Sequence, residues 1–134
     1  MLPDHPGHTG PDCGVAGDPR ICSTVNQLLA RVGDKWSLLV IRSLGGGPHR
    51  FNALKREIGD ISQKMLSSTL RNLERDGFVT RTVTPVVPPQ VEYALTPLGV
   101  ELLTPVRALT EWTARNADRI DAARAAYDAR QADS

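Results

Sequence analysis

From Cys22 onward apolar side chains recur mostly at helical spacing, and the polar positions between them distinguish one predicted helix from the next. Val25, Leu28, Leu29 and Val32 form one stripe; Trp36, Leu39, Val40 and Leu44 form a second. Gly33 and Asp34 separate the two, with Asp34 placed to cap the second helix. Three glycines and Pro48 then stop it. Phe51, Leu54 and Ile58 predict a short helix over residues 50–58, after which Gly59 and Asp60 turn the chain.

The next stretch, ISQKMLSSTLRNLERDG at 61–77, has the sharpest division of faces. Helical geometry puts Met65, Leu66, Thr69, Leu70 and Leu73 on one side and Lys64, Ser67, Ser68, Arg71 and Arg75 on the other. Ser62 is the expected N-cap and Gly77 the expected stop. Two hydroxyls between a lysine and two arginines, with Gln63 at the edge, suit a helix that enters a major groove. A solvated surface helix is the plain alternative, and the neighbouring elements decide between them.

Those neighbours favour recognition. The helix over residues 50–58 braces the second across a short turn, as in helix-turn-helix units. After Gly77 the segments FVTRTV and VEYAL read as strands around the proline-rich tip TPVVPPQ, so a β-hairpin over 78–95 follows directly, as a wing would. Thr96 and Pro97 open a last helix in which Leu98, Leu102, Val106, Leu109 and Trp112 align. Pro105 is expected to kink or break it near Leu102. Beyond Arg115 the stripe weakens to alanines, Ile120 and Tyr127. With the helix from Thr24, this tail is a candidate dimer interface, the alternative being packing on its own domain.

Charge placement supports the same centre. The 134 residues carry a net charge of only +1, yet residues 35–81 hold nine Lys/Arg against four Asp/Glu, and both flanks are net negative. No apolar run approaches the roughly 18 residues of a membrane span, and no secretion signal opens the chain, which predicts a cytoplasmic protein. Residues 1–20 hold four glycines and four prolines without an apolar period, the composition of a flexible arm. The domain is therefore expected to begin near Ile21.

Catalytic chemistry finds no support. There is no ordered nucleophile with a nearby histidine and no paired-carboxylate constellation, and GGGP at 45–48 lacks the Lys-Ser/Thr of a phosphate loop. His49 reads as solvent-facing or phosphate-facing. His5, His8 and Cys13 do not have the spacing of a closed zinc site, so neither metal nor cofactor is expected. Cys13 and Cys22 are too few for a disulfide framework and are expected to be reduced at rest. Cys22 lies just before a predicted helix and two residues after Arg20, a setting that favours a partly exposed, reactive thiolate; a small buried residue at a helix start is the alternative.

The segments GDKWSLLVIRSL, GPHRFNALKREI, ISQKMLSSTLRNLERDGFVTR and VPPQVEYALTPLGVELLTPV, in this order, resemble the HxlR family of bacterial winged helix-turn-helix regulators, relatives of the MarR type. The resemblance runs from Cys22 to about Trp112. It implies a homodimeric transcription factor, most often a repressor, with N- and C-terminal helices interleaved between subunits. It also implies a cysteine at the position of Cys22 that senses quinones, aldehydes, disulfide stress or other electrophiles in some members. A proline usually follows that cysteine; here Ser23 does.

The expected fold is thus mainly α with a small β-hairpin wing: a winged helix-turn-helix over 21–114, with its recognition helix at 62–76 and its wing at 78–95, and a dimerising helical tail at 115–134. The expected partner is double-stranded operator DNA bound by a homodimer. Gln63, Lys64, Ser67, Ser68 and Arg71 are assigned to the major groove, Arg50, Ser62 and Arg81 to phosphates, and residues 84–90, bounded by Thr84 and Gln90, to the minor groove. Cys22 and Cys13 are the candidate redox pair, open to a small electrophile. A regulator that answers to a small ligand without a thiol switch, and a winged helix that binds protein, are the alternatives.

Overall fold

The computed structural model describes residues 18–133, so most of the expected arm, with His5, His8 and Cys13, lies outside the described residues. Five helices and a small sheet follow in order: α1 (Pro19–Val32), α2 (Lys35–Leu44), β1 (His49–Arg50), α3 (Phe51–Ile58), α4 (Gln63–Arg75), β2 (Val79–Thr84), β3 (Gln90–Leu95) and α5 (Pro97–Ala132). The sheet is antiparallel with order β1-β3-β2. This is a winged helix-turn-helix, mainly helical, as the apolar pattern predicts.

The core is built on α2, where Val40 and Ile41 are fully buried and Leu44 nearly so. Leu54 of α3, Leu66, Leu70 and Leu73 of α4, Phe78, Val79 and Leu103 close around them, with Ile61 filling the turn between α3 and α4. Because α2 packs on α3, α4 and α5, it fixes the angle at which α4 is presented. Asp34 caps α2 by accepting from the Ser37 amide at 3.1 Å and from the Ser37 hydroxyl at 2.9 Å, so buried Ser37 has its hydrogen bond.

Three expectations change. Pro105 does not break α5, which runs unbroken through it and through residue 115. Leu103 and Val106 on either side of the proline are buried, and this packing holds the helix across the missing hydrogen bond. Met65, expected on the buried face of α4, is 44% exposed; Leu66 takes the core position beside it. The strand β1, absent from the sequence reading, adds His49 and Arg50 to the edge of the hairpin, opposite Tyr93 and Glu92.

The start of α5 approaches the end of α4 closely. The Thr96 hydroxyl accepts from the Gly99 amide at 3.0 Å as an N-cap and donates to the Gly77 carbonyl at 2.6 Å. An added Cβ on Gly99 would lie 2.2 Å from the Phe78 carbonyl oxygen. Only glycine permits this contact, which anchors α5 at the root of the wing.

A candidate nucleic-acid interface on the fourth helix and the wing

Local sequence fixes both ends of α4. The Ser62 hydroxyl accepts from the Met65 amide at 3.0 Å, the expected N-cap. At the other end the Phe78 amide donates to Leu73 and the Gly77 amide to Glu74, with Gly77 at φ 85°, a Schellman ending that only a left-handed residue completes. Between these ends Leu66, Thr69, Leu70 and Leu73 are buried. Gln63, Lys64 and Arg71 are exposed, and Ser67 and Ser68 half-buried, so the polar stripe faces outward.

The wing residues divide into a root and a tip. Thr84 and Gln90 face each other where the strands end, and Arg81 lies opposite Tyr93. Cross-strand partners leave the same face of a sheet, so Arg81 and Tyr93 project together. They project toward α4: Ser67, Arg71, Glu74, Arg81 and Tyr93 line a cavity of about 350 Å³ whose apolar lining comes from Phe51 and Leu70. Sequence reasoning proposed Ser67, Arg71 and Arg81 as separate contacts, whereas the fold gathers them around one cup.

Arg50 lies at the N-cap of α3, where its side chain makes no capping bond. Its guanidinium instead donates to Gln90 Oε1 at 2.6 Å, linking the start of α3 to the wing tip. His49 is not solvent-facing or phosphate-facing as expected: Nε2 sits 2.7 Å from Glu57 Oε2 and Nδ1 sits 2.6 Å from the Gly47 carbonyl. Both nitrogens are thereby turned to acceptors within the fold. Glu57 and Glu74 were missed by the sequence reading, because Glu57 meets His49 of β1 and Glu74 lines the cup beside Arg81 of β2, juxtapositions that no pattern within one element reveals.

At the other side of the domain, Asp18 caps α1 through the Arg20 amide at 2.9 Å. The same carboxylate accepts from Arg20 Nε at 3.0 Å and Nη2 at 2.7 Å, and this pairing, with the backbone bond, holds the Asp18 carboxyl below its usual range. The positive charge expected to favour a Cys22 thiolate is thus matched by Asp18. Cys22 itself is 6% exposed and disulfide-bonded, rather than a reduced and partly exposed thiol. Burial in the first turns of α1 and the bonded sulfur account for the difference; Cys13 lies outside the described residues.

Along α1 and α5 large apolar side chains remain in contact with solvent: Ile21, Leu29, Leu98, Leu109, Trp112 and Tyr127 are each at least half exposed. A groove of about 730 Å³ runs between α1, the end of α4 and the start of α5, with Leu28, Ala30, Phe78 and Leu98 among its lining residues. Among the described residues no helix is long and apolar enough to cross a membrane.

Residues 31–121 match the family described as HxlR-like helix-turn-helix. The chain belongs to this family. A relative in Escherichia coli, the HTH-type transcriptional regulator YtfH, is 45% identical over 98 residues, covering 73% of this chain and 78% of that protein. Among solved structures, the redox regulator HypR in its reduced form superimposes with a TM-score of 0.69 at 38% identity, covering 74% of this chain and 98% of HypR. The reduced transcriptional regulator YodB of Bacillus subtilis gives a TM-score of 0.63 at 35% identity, covering 69% and 90%. The HxlR-family chain is therefore a transcriptional regulator with a helix-turn-helix DNA-binding domain, and it is not an enzyme.

Proposed function

We propose that the protein is a repressor that binds a pseudo-palindromic operator as a homodimer in the cytoplasm. The observation that carries this is the outward polar stripe of α4, a helix whose other side packs on α2 and which is followed directly by the wing strand β2 it contacts. In this reading α4 enters the major groove with Gln63, Lys64 and Ser68 leading, and Ser67 and Arg71 follow in the same stripe. Ser62, Arg50 and Arg81 face phosphates, and residues 84–90 follow the adjacent minor groove. The exposed apolar side chains of α1 and α5 supply the dimer contact, since a lone helix with such a face gains by covering it.

A salt titration of operator binding tests the reading. Each neutralised phosphate contributes about 0.9 to the slope of log affinity against log salt, so several contacts give a steep line. A protein partner held by apolar contacts would give a nearly flat one. Binding of selected duplexes that is insensitive to salt would remove the operator assignment and favour the protein-interaction alternative.

For the signal, we assign a thiol switch to Cys22 with Cys13, the chain's other cysteine, as its resolving partner. HypR is known in reduced and oxidised forms and YodB in reduced and diamide-treated forms, which supports redox control in relatives of this fold. Starting from the reduced protein, two thiols would each lose a proton and an electron to an oxidant such as diamide and join as a disulfide, so that the bonded Cys22 described above is the oxidised state of the switch. Cys22→Ser should then hold the operator in diamide while the parent releases it. An unchanged response in Cys22→Ser would exclude the Cys22 switch.

A further inference from the structure

We infer that the cup between α4 and the wing is a receptor for a single phosphodiester of the DNA backbone, gripped jointly by Arg71 and Arg81. This rests on the DNA-binding reading above and reassigns Arg71 from base edge to backbone. Ser67 and Arg71 are one turn apart on α4, and Arg81 leaves β2 on the face it shares with Tyr93. All four line the same cavity of about 350 Å³.

Shape decides the ligand first. Base edges form the floor of a groove, and a side chain must project from a convex surface to reach them. A recess receives a ridge, and the ridge of a duplex is its phosphate backbone. Chain order agrees, because recognition helices meet base edges with their N-terminal residues, and Arg71 lies beyond the middle of α4.

Charge decides it further. Two guanidiniums can each offer a fork of donors to phosphate oxygens, with the Ser67 and Tyr93 hydroxyls as added donors. Glu74 lines the same cup and removes one positive charge, which leaves a local balance of one cation. That suits the single negative charge of a phosphodiester better than a doubly charged phosphate monoester or free phosphate. The apolar lining of Phe51 and Leu70 limits water around the bound group and strengthens the pairing.

The test uses the full chain and an operator selected from random duplexes, scanned with neutral methylphosphonates one position at a time. In the parent one substitution per half-site should weaken binding about tenfold. Arg71→Ala and Arg81→Ala should both be insensitive to that same substitution and should keep the parent's ranking of base substitutions. Arg81→Lys, which keeps the charge but loses the fork, should recover only part of the affinity. Two variants that lose sensitivity at different phosphates would overturn the proposal, and so would an Arg71→Ala variant that alone changes base preference. Release of DNA by inorganic phosphate, but not by chloride at equal ionic strength, would assign the cup to a free anion and overturn it equally. A parent that binds no duplex would instead remove the DNA-binding reading on which the proposal stands.

Discussion

Arg31 Nε and Asp76 Oδ2 meet at 2.5 Å although 45 residues separate them, tying the last turn of α1 to the C-cap of α4. The helix that carries Cys22 is thereby clasped to the helix that carries the polar stripe. Both partners retain over a quarter of their side-chain exposure, so the pair adds little to stability. A double-mutant cycle of Arg31→Ala and Asp76→Ala in urea should give a coupling of about 0.5 to 1 kcal/mol. If α1 reports thiol state to α4 through this clasp, the same variants should bind operator normally but respond less to diamide. Full release by diamide in both would show that the signal bypasses the pair.

The close approach of α5 to the root of the wing predicts a sharp contrast between two glycines. Gly99→Ala sets a methyl 2.2 Å from the Phe78 carbonyl oxygen, and backbone on both sides must move. The expected loss is about 3 kcal/mol, at the upper end for overpacking. Gly46→Ala, whose nearest neighbour would be the Ser43 carbonyl at 3.5 Å, should stay within about 0.5 kcal/mol of the parent. Urea midpoints of the two variants compare them directly. Equal midpoints would mean that α5 is not anchored through Gly99.

Adjacent positions on α4 should likewise diverge. Leu66 is fully buried and Met65 is 44% exposed. Leu66→Ala should cost about 2 to 5 kcal/mol through lost burial and the cavity left behind. Met65→Ala should change stability by roughly 0.5 kcal/mol or less, as exposed substitutions do. Thermal unfolding followed by circular dichroism measures both, and a large loss for Met65→Ala would show that its exposed face is covered in the functional assembly.

What the sequence made legible was local. The caps at Asp34, Ser62 and Thr96 each act within three residues, so the amino-acid types alone reveal them. The buried stripe of α4 is equally local, and the period missed only Met65 at its margin. The candidate site was legible as a stripe and a hairpin, but not as a cup. Arg50 and Gln90 are 40 residues apart, and Arg71 and Arg81 belong to different elements, so no periodicity relates them. Strand β1 has only two residues and exists through its pairing with β3, which leaves no alternation to read. At Pro105 a local rule was overridden by burial of Leu103 and Val106 on either side.

That override carries its own prediction. Pro105 has no amide to offer the Glu101 carbonyl, and a helix interior penalises proline by about 3 kcal/mol relative to alanine. Proline also restricts the unfolded chain, which offsets about 0.4 to 1 kcal/mol of that penalty. Because Pro105 is exposed, its replacement leaves no cavity. Pro105→Ala should therefore stabilise the protein by about 2 to 2.6 kcal/mol, seen as a higher urea midpoint with unchanged slope. A lower midpoint would mean that a bend set by the proline is needed to seat Leu103 against Gly45 and α2, and the continuous helix would then owe its course to the proline itself.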